Sequence, residues 1–252
     1  MDLGLADRVY ILTGAAKGLG FATAEALTAD GARVVIAART QASVDEAVAA
    51  LPAGMAHGVA ADITDAGTPE LLVRTAMDTF GRLDGALISV GGPRLGSAFE
   101  LTDDHWREAF ETQFLGVVRT ARTVAAALTG GGAIGFVLST STKVPLPGLG
   151  LSNGLRPGLA GVAKDLADEL APRGIRVLSL LPGRVLTDRN RQLFAATGNP
   201  EKAQAEATAS VPLRRLGRPE EFGKVAAFAL SPAASYLTGL QIPVDGGLLR
   251  TL

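Results

Sequence analysis

Three glycines follow the first apolar run of the chain at a spacing typical of a phosphate-binding turn. Residues 13–20 read TGAAKGLG and lie between a predicted strand and a predicted helix. Glycine lets the backbone turn tightly and approach a pyrophosphate without a clashing Cβ, and a helix N-terminus offers free N–H groups and positive potential. The segment therefore predicts a site for the diphosphate of a dinucleotide, with a tight structural turn as the alternative.

The end of the second predicted strand distinguishes between the two nicotinamide dinucleotides. An acidic residue at this position would hydrogen-bond the ribose 2′-hydroxyl of NAD. The sequence instead has Ala38 and Arg39 there, and Lys17 lies within the glycine turn. Two cations and no acid favour a 2′-phosphate, so we predict NADP(H) as the cofactor. The alternative for Arg39 is a solvated arginine on a surface loop.

The turn has to be positioned by strands and helices that alternate along the whole chain. Apolar runs predict strands at residues 9–12, 34–38, 57–61, 83–90, 133–139, 177–181 and 241–244. The main helical stretches are 22–29, 41–51, 69–80, 103–128, 159–170 and 219–230. This order predicts an α/β class protein, a single-domain Rossmann fold with a doubly wound, seven-stranded parallel sheet.

One long segment, residues 188–211, follows the sixth strand without a clear periodic pattern. It forms either a mobile lid over a ligand site or two surface helices. Because ligands bind at the carboxyl ends of the strands in such sheets, the lid is the favoured interpretation.

Composition limits the possible classes of partner. The chain has 252 residues, 47% of them hydrophobic and 19% charged, and a net charge of −1. We therefore expect one domain over residues 1–252 and no attraction to nucleic acid or an anionic membrane. There is no cysteine and there are two histidines, so no metal site is predicted. The first residues lack the pattern of a signal peptide and no apolar run reaches about 18 residues, so we expect a cytoplasmic protein.

From end to end, the chain resembles the short-chain dehydrogenase/reductase family. The glycine turn has the family's TGxxxGxG spacing, and residues 87–92 occupy the place of its NNAG segment. Further similarity lies in Asp62, in the Pro182-Gly183 pair with Thr187, and in segments 215–221, 235–239 and 244–247. The resemblance implies an oxidoreductase that uses a nicotinamide cofactor and acts on a small-molecule ketone or alcohol.

The turn and the second strand indicate part of the cofactor site, and the resemblance implies the rest, including Arg156 at the position of the family's lysine. The predicted cofactor residues are Gly14, Lys17, Gly18, Leu19, Gly20, Arg39, Asp62, Ile63, Ser89, Gly91, Arg156, Pro182, Gly183, Val185 and Thr187.

The resemblance also exposes departures in the catalytic set, which in the family is Asn, Ser, Tyr and Lys. The serine is retained as Ser139, but the positions 13 and 17 residues later hold Ser152 and Arg156. The asparagine position, three residues before Gly116, holds Gln113. A serine hydroxyl is a poor acid near neutral pH, and an arginine does not give up its proton. We therefore expect an altered proton relay, in which Ser152 and Arg156 hold a water molecule.

Two other functions remain open. A catalytically silent NADP(H)-binding protein, acting as a sensor or structural partner, explains the missing tyrosine more simply. A non-redox enzyme resembling the halohydrin dehalogenases is disfavoured, because those enzymes keep the tyrosine and remodel the cofactor turn.

Two structural expectations complete the sequence-based interpretation. Pro157 either kinks the helix that carries Arg156 or forces that helix to start near Arg156, with Ser152 in a loop; a kink is favoured. The resemblance also implies a homodimer or homotetramer formed through long helices and the last strand. The small residues on these helices, Ala121, Ala125, Gly161 and Ala167, permit close helix approach between subunits, or they pack internally.

Overall fold

A computed structural model describes residues 2–251, which form one seven-stranded parallel sheet with helices on both faces. The strands are β1 (Val9–Thr13), β2 (Arg33–Ala38), β3 (Ala56–Ala60), β4 (Gly85–Ile88), β5 (Gly132–Val137), β6 (Ile175–Pro182) and β7 (Leu240–Val244). Their order in the sheet is β3-β2-β1-β4-β5-β6-β7. This arrangement confirms the predicted fold class. Each predicted strand begins and ends within two residues of the corresponding observed strand.

Nine α-helices connect and flank the strands within the described residues. They are α1 (Gly18–Ala29), α2 (Gln41–Ala49), α3 (Thr68–Phe80), α4 (Asp103–Phe110), α5 (Gly116–Ala127), α6 (Gly150–Leu170), α7 (Asp188–Ala195), α8 (Pro200–Ser210) and α9 (Pro219–Leu230). Segment 188–211 contains the two helices α7 and α8.

The sheet separates two hydrophobic clusters because side chains alternate along each strand. In β2, Val35 faces a cluster with α3, α5 and α6, whereas Val34 and Ile36 face a cluster with α1, α2 and α9. All five residues of β1 are buried, as expected for a central strand covered on both faces. The order of the strands reverses between β1 and β4, and a crevice opens there at their carboxyl ends.

Helix α6 is longer than the predicted stretch and starts at Gly150, so Ser152, Arg156 and Pro157 all lie inside one helix. The alternative that the helix begins near Arg156 is therefore wrong. Because they contain glycine and proline, residues 150–158 resemble a loop in the sequence. In the structure, the three glycines of this segment allow other parts of the chain to pack closely against the helix. A Cβ at Gly150 would lie 2.7 Å from the backbone of Ala98, and one at Gly154 would lie 2.7 Å from the ring of Trp106.

The predicted helical region 103–128 is also interrupted. A π-helical turn, Glu111–Leu115, separates α4 from α5 and contains Gln113. Such turns are rare and occur frequently at functional sites. Among residues 2–251, no helix combines the length and hydrophobicity needed to cross a membrane.

Candidate functional site

A cleft of about 300 Å³ lies at the carboxyl ends of the central strands. The glycine turn, the loop after β4, the end of β5, the start of α6 and the β6–α7 segment all contribute to its walls. Of the residues predicted for the site, the following line it: Gly14, Lys17, Gly18, Leu19, Gly20, Ser89, Gly91, Ser139, Ser152, Arg156, Pro182, Gly183, Val185 and Thr187. One continuous cavity therefore joins the predicted phosphate turn to Ser139, Ser152 and Arg156, whereas the fourth predicted catalytic residue, Gln113, does not line it.

The glycine turn is shaped by close backbone contacts that only glycine allows. Gly14 has a φ of 58°, and a Cβ there would lie 2.7 Å from the carbonyl oxygen of Ser89. A Cβ at Gly20 would lie 2.7 Å from the Cα of Ala15. The Thr13 hydroxyl donates to the Ser89 carbonyl at 2.7 Å and accepts from the Ser89 N–H at 3.0 Å, which joins β1 to β4 beneath the turn.

Helix α1 begins directly at this turn, and no side chain caps its N-terminus. The first N–H groups of a helix have no partner within the helix and favour an anion. Because the residues that carry them, Gly18 to Gly20, line the cleft, the turn and the helix start fit the diphosphate of a dinucleotide.

Three predicted cofactor residues lie outside the lining of the cleft, at the carboxyl ends of β2 and β3. Arg39 is exposed after β2, and Asp62 and Ile63 follow β3. The Asp62 carboxylate accepts hydrogen bonds from the N–H and hydroxyl of Thr64 at 2.9 and 2.8 Å. These bonds, with a smaller contribution from the positive charge of Arg39, lower the pKa of Asp62. Asp62 is therefore a carboxylate held by Thr64, and its charge interacts with that of Arg39, the cation predicted to bind the 2′-phosphate.

Arg156 is a buried cation held by two neutral acceptors. Its Nη1 donates to the carbonyl of Val137 at 2.6 Å, and its Nη2 donates to Oε1 of Gln113 at 2.8 Å. Gln113 in turn donates through Nε2 to the carbonyl of Gly91 at 2.7 Å. Burial lowers the pKa of Arg156 to about 10, so the guanidinium stays charged near neutral pH. This chain of hydrogen bonds connects the ends of β4 and β5 to α6.

The π-helical turn is what brings Gln113 to Arg156. Gln113 is buried in the middle of the turn, and Gly116 ends it against the carbonyl of Ile63, where a Cβ would lie 2.6 Å from that oxygen. The sequence placed Gln113 by register but did not predict the turn. The signal of this turn in the sequence is Gly116, the residue at which the α-helix resumes.

The hydroxyl groups of the site form a second, separate cluster. Ser139 accepts a hydrogen bond from the N–H of Ser141 at 3.1 Å. The hydroxyls of Ser141 and Ser152 lie 2.9 Å apart and share a hydrogen bond. Within the described chain, the hydrogen bonds of Ser152 and Arg156 thus go to different partners. Ser141 had no individual role in the sequence-based prediction, although it lies in the polar segment that begins with Ser139.

The segment after β6 forms a further part of the cleft wall. Thr187 caps α7 by accepting a hydrogen bond from the Asn190 N–H at 3.4 Å. Gly183 packs against Asp245, where a Cβ would lie 2.7 Å from the Asp245 Cα. Arg189 extends from α7 to the loop after β4, where its Nη2 donates to the carbonyl of Pro93 at 2.6 Å.

Within residues 2–251, no three histidine, cysteine or acidic side chains cluster as a metal ion would require. His105 has a structural role at the start of α4, where its Nδ1 accepts a hydrogen bond from the Thr102 N–H at 3.2 Å.

Comparison with known proteins gives consistent matches over the full length. A family model described as Enoyl-(Acyl carrier protein) reductase matches residues 14–249. An oxidoreductase of Methylorubrum extorquens is 36% identical over 97% of this chain and 98% of its own length. Human dehydrogenase/reductase SDR family member 4 is 34% identical over 96% of this chain and 88% of its own length.

Solved structures agree with these relatives. L-sorbose reductase from Gluconobacter frateurii, complexed with NADPH and L-sorbose, is 30% identical and has a TM-score of 0.92 over the whole of both chains. A short-chain dehydrogenase/reductase of the glucose/ribitol dehydrogenase type from Brucella melitensis is 28% identical, also with a TM-score of 0.92 over both whole chains.

Proposed function

The chain belongs to the short-chain dehydrogenase/reductase family, and on that basis we propose that it is an NADP(H)-dependent oxidoreductase that interconverts a ketone and an alcohol. The observation that carries the proposal is the single cleft in which the glycine turn and Ser139, Ser152 and Arg156 meet. When bound, the nicotinamide cofactor supplies or accepts the hydride. The protein's part is then to hold the substrate oxygen and to move a proton.

Ser139 is the group proposed to bind the substrate oxygen. Its Oγ already accepts the Ser141 N–H, so its own O–H is free to donate to a carbonyl. A hydroxyl oriented in this way polarises the carbonyl and stabilises the negative charge that develops on its oxygen during reduction.

Arg156 is proposed to donate hydrogen bonds to the ribose hydroxyls of the cofactor and to add positive charge to the site. With a pKa of about 10, it retains its proton near neutral pH and serves poorly as the acid. The proton is instead proposed to pass through a water held by Ser152 and Arg156, with Ser141 orienting the Ser152 hydroxyl at 2.9 Å. In the same proposal, residues 188–211 act as a lid over the ligand site. We also propose that the protein acts in the cytoplasm.

The experiment that tests the function is a panel of ketones and aldehydes followed by NADPH absorbance, with NADH in parallel. Oxidation of NADPH that depends on one class of carbonyl supports the proposal. Tight NADPH binding without turnover across the panel would favour the silent NADP(H)-binding protein. The observation that favours this alternative is the direct hydrogen bond between Ser152 and Ser141, because it engages the Ser152 hydroxyl that the proposed relay needs for the water.

Replacing Ser152 with alanine should lower turnover by about tenfold or more, because the relay loses its hydroxyl. Steady-state kcat with NADPH measures the effect, and the Kd of NADPH should stay unchanged. Ser179→Ala, which removes another buried serine hydroxyl in β6, is the matched control. An unchanged kcat in Ser152→Ala would exclude the proposed relay.

NADPH should bind more tightly than NADH. Lys17 and Arg39 each offer a charge-assisted hydrogen bond worth about 1.5–3 kcal/mol to a 2′-phosphate. Calorimetric titration with both cofactors measures the preference, and Arg39→Asp should reverse it. Arg74→Asp, which changes the same charge on the exposed surface of α3, should leave it intact. Equal dissociation constants for the two cofactors in the parent protein would contradict the prediction.

A dimer or tetramer remains the proposed assembly, but the structure corrects part of its basis. Ala121, Ala125 and Ala167 are buried in the core of the subunit, so they are not available to a partner. Gly161 alone of the four is exposed. Other apolar groups are exposed on the proposed interface elements, with Phe110 on α4 and Leu240 on the edge strand β7 both more than 40% accessible.

Light scattering at micromolar concentration should therefore give the mass of two or four chains. Leu240→Lys places a charge on an edge strand and should weaken association through that edge. A monomer for the parent protein would contradict the proposed assembly.

A further inference from the structure

Arg189 is a partly buried cation in the cleft that the proposed reaction does not use. One of its five N–H groups donates to the Pro93 carbonyl, and within residues 2–251 no carboxylate lies within 4.0 Å of its guanidinium. The neighbouring acid, Asp188, pairs with Arg191 at 3.0 Å instead. Partial burial of the side chain lowers the pKa of Arg189. A desolvated cation of this kind is stabilised by a bound anion.

The loop after β4 is shaped to receive this side chain. A Cβ at Gly92 would lie 2.8 Å from Nε and 3.2 Å from Cζ of Arg189, so the guanidinium rests directly on the glycine backbone. Arg189 therefore spans the cleft from α7 to the loop after β4, and its remaining N–H groups are free to bind a ligand. The lining of the same cleft also includes the apolar residues Val90, Leu149 and Leu193, and apolar walls lower the local dielectric constant and strengthen an ion pair.

The charges around the cleft are unbalanced. Lys17, Arg156, Arg184 and Arg189 line it, whereas the only acidic residue among the described lining residues is Asp188. Lys17 belongs to the phosphate turn, and Arg156 is engaged by Gln113 and the end of β5. Arg184 and Arg189 are the two lining cations that remain. Of these two, within residues 2–251, only Arg189 is held in place by a side-chain hydrogen bond, to the carbonyl of Pro93, so it is the cation positioned for a second anion.

We propose that Arg189 binds a carboxylate of the substrate, so that the substrate is a ketone or alcohol that also carries a carboxylate group. This inference rests on the proposed oxidoreductase function. The planar guanidinium presents parallel N–H donors that match the two oxygens of a carboxylate, which makes Arg189 a residue that determines specificity. The Pro93 carbonyl holds the side chain in place before the substrate enters.

The test uses 4-oxopentanoate, its neutral methyl ester and 4-oxopentyl phosphate. Each is titrated by calorimetry into the complex of the protein with NADP⁺, and kcat/KM with NADPH is measured in parallel. The parent protein should bind the carboxylate about 10- to 100-fold more tightly than the ester. Arg189→Met should abolish this preference, whereas Arg189→Lys should retain part of it. Arg191→Met, which removes an exposed arginine of the same helix, should have no effect.

Each other outcome has a defined meaning. Equal binding of carboxylate and ester, no binding of either, or a preference for the phosphate overturns the inference. A loss of NADPH affinity in Arg189→Met equal to the loss of carboxylate affinity also overturns it, because Arg189 would then bind the cofactor. Selective carboxylate binding without NADPH oxidation by any ketone would mean that the proposed oxidoreductase function fails while the anion site stands. Melting temperatures of the variants verify that each is folded.

Discussion

Replacing Ser152 with tyrosine and Arg156 with lysine should raise the turnover of a simple ketone by about 10²–10⁴-fold, the usual contribution of a positioned general acid. Both residues lie in α6 one turn apart and both line the cleft. Because α6 runs unbroken from Gly150 to Leu170, Pro157 does not remove either position from the helix. A phenol at residue 152 would reach into the same cavity as Ser139, and a lysine at residue 156 would lower the pKa of that phenol.

The measurement is kcat with NADPH on a ketone that the parent protein reduces slowly. Ser152→Phe combined with Arg156→Lys is the matched control, since it supplies the same ring without the hydroxyl. The double variant with tyrosine should exceed this control. If neither it nor a triple variant that adds Pro157→Ala gains rate while NADPH affinity stays intact, the cleft does not support carbonyl reduction of the family type.

Replacing Gly20 with alanine should weaken NADPH binding by about 10²–10⁴-fold. The added Cβ would lie 2.7 Å from the Cα of Ala15, so the glycine turn and the start of α1 must move apart. The loss of two N–H hydrogen bonds to phosphate, each worth about 1.5–3 kcal/mol, accounts for an effect of this size. Fluorescence titration with NADPH gives the Kd, and circular dichroism shows whether the fold is retained.

Gly161→Ala is the control for this substitution. Gly161 is also a helical glycine, but a Cβ there meets no atom within 4 Å. We expect unchanged NADPH affinity and a stability gain of about 0.5–1 kcal/mol from the better helix propensity of alanine. If Gly20→Ala binds NADPH as tightly as the parent protein, the glycine turn is not the site of the diphosphate.

Local patterns in the sequence were sufficient for the fold. Strand β1 reads as an apolar run because both its faces are covered, and the glycine turn follows it because the backbone there must adopt a φ of 58° at Gly14. Such constraints act between residues that are close in the sequence, so the residue types there indicate the local structure directly. Ser139, Ser152 and Arg156 were assigned through the resemblance to the family, by their register against its catalytic motif, and they are found to line one cleft.

The start of α6 could not be predicted in this way. Helix propensity opposes Gly150, Gly154 and Pro157, yet the helix forms, because the missing side chains let the Ala98 backbone and the Trp106 ring pack closely against it. Packing between segments about 50 residues apart in the sequence overrides the low helix propensity of glycine and proline. No pattern within residues 150–158 indicates this packing.

By itself, the sequence determined the α/β class, the position of the glycine turn and the residue types at the family's catalytic positions, since each depends on neighbours along the chain. Only the tertiary structure decided their partners. The π-helical turn places Gln113 on Arg156, Ser141 rather than Arg156 binds the Ser152 hydroxyl, and Arg189 reaches Pro93 across the cleft. The physical reason is that a hydrogen bond forms between groups about 3 Å apart in space, whatever their separation in sequence, and 96 residues separate Arg189 from Pro93.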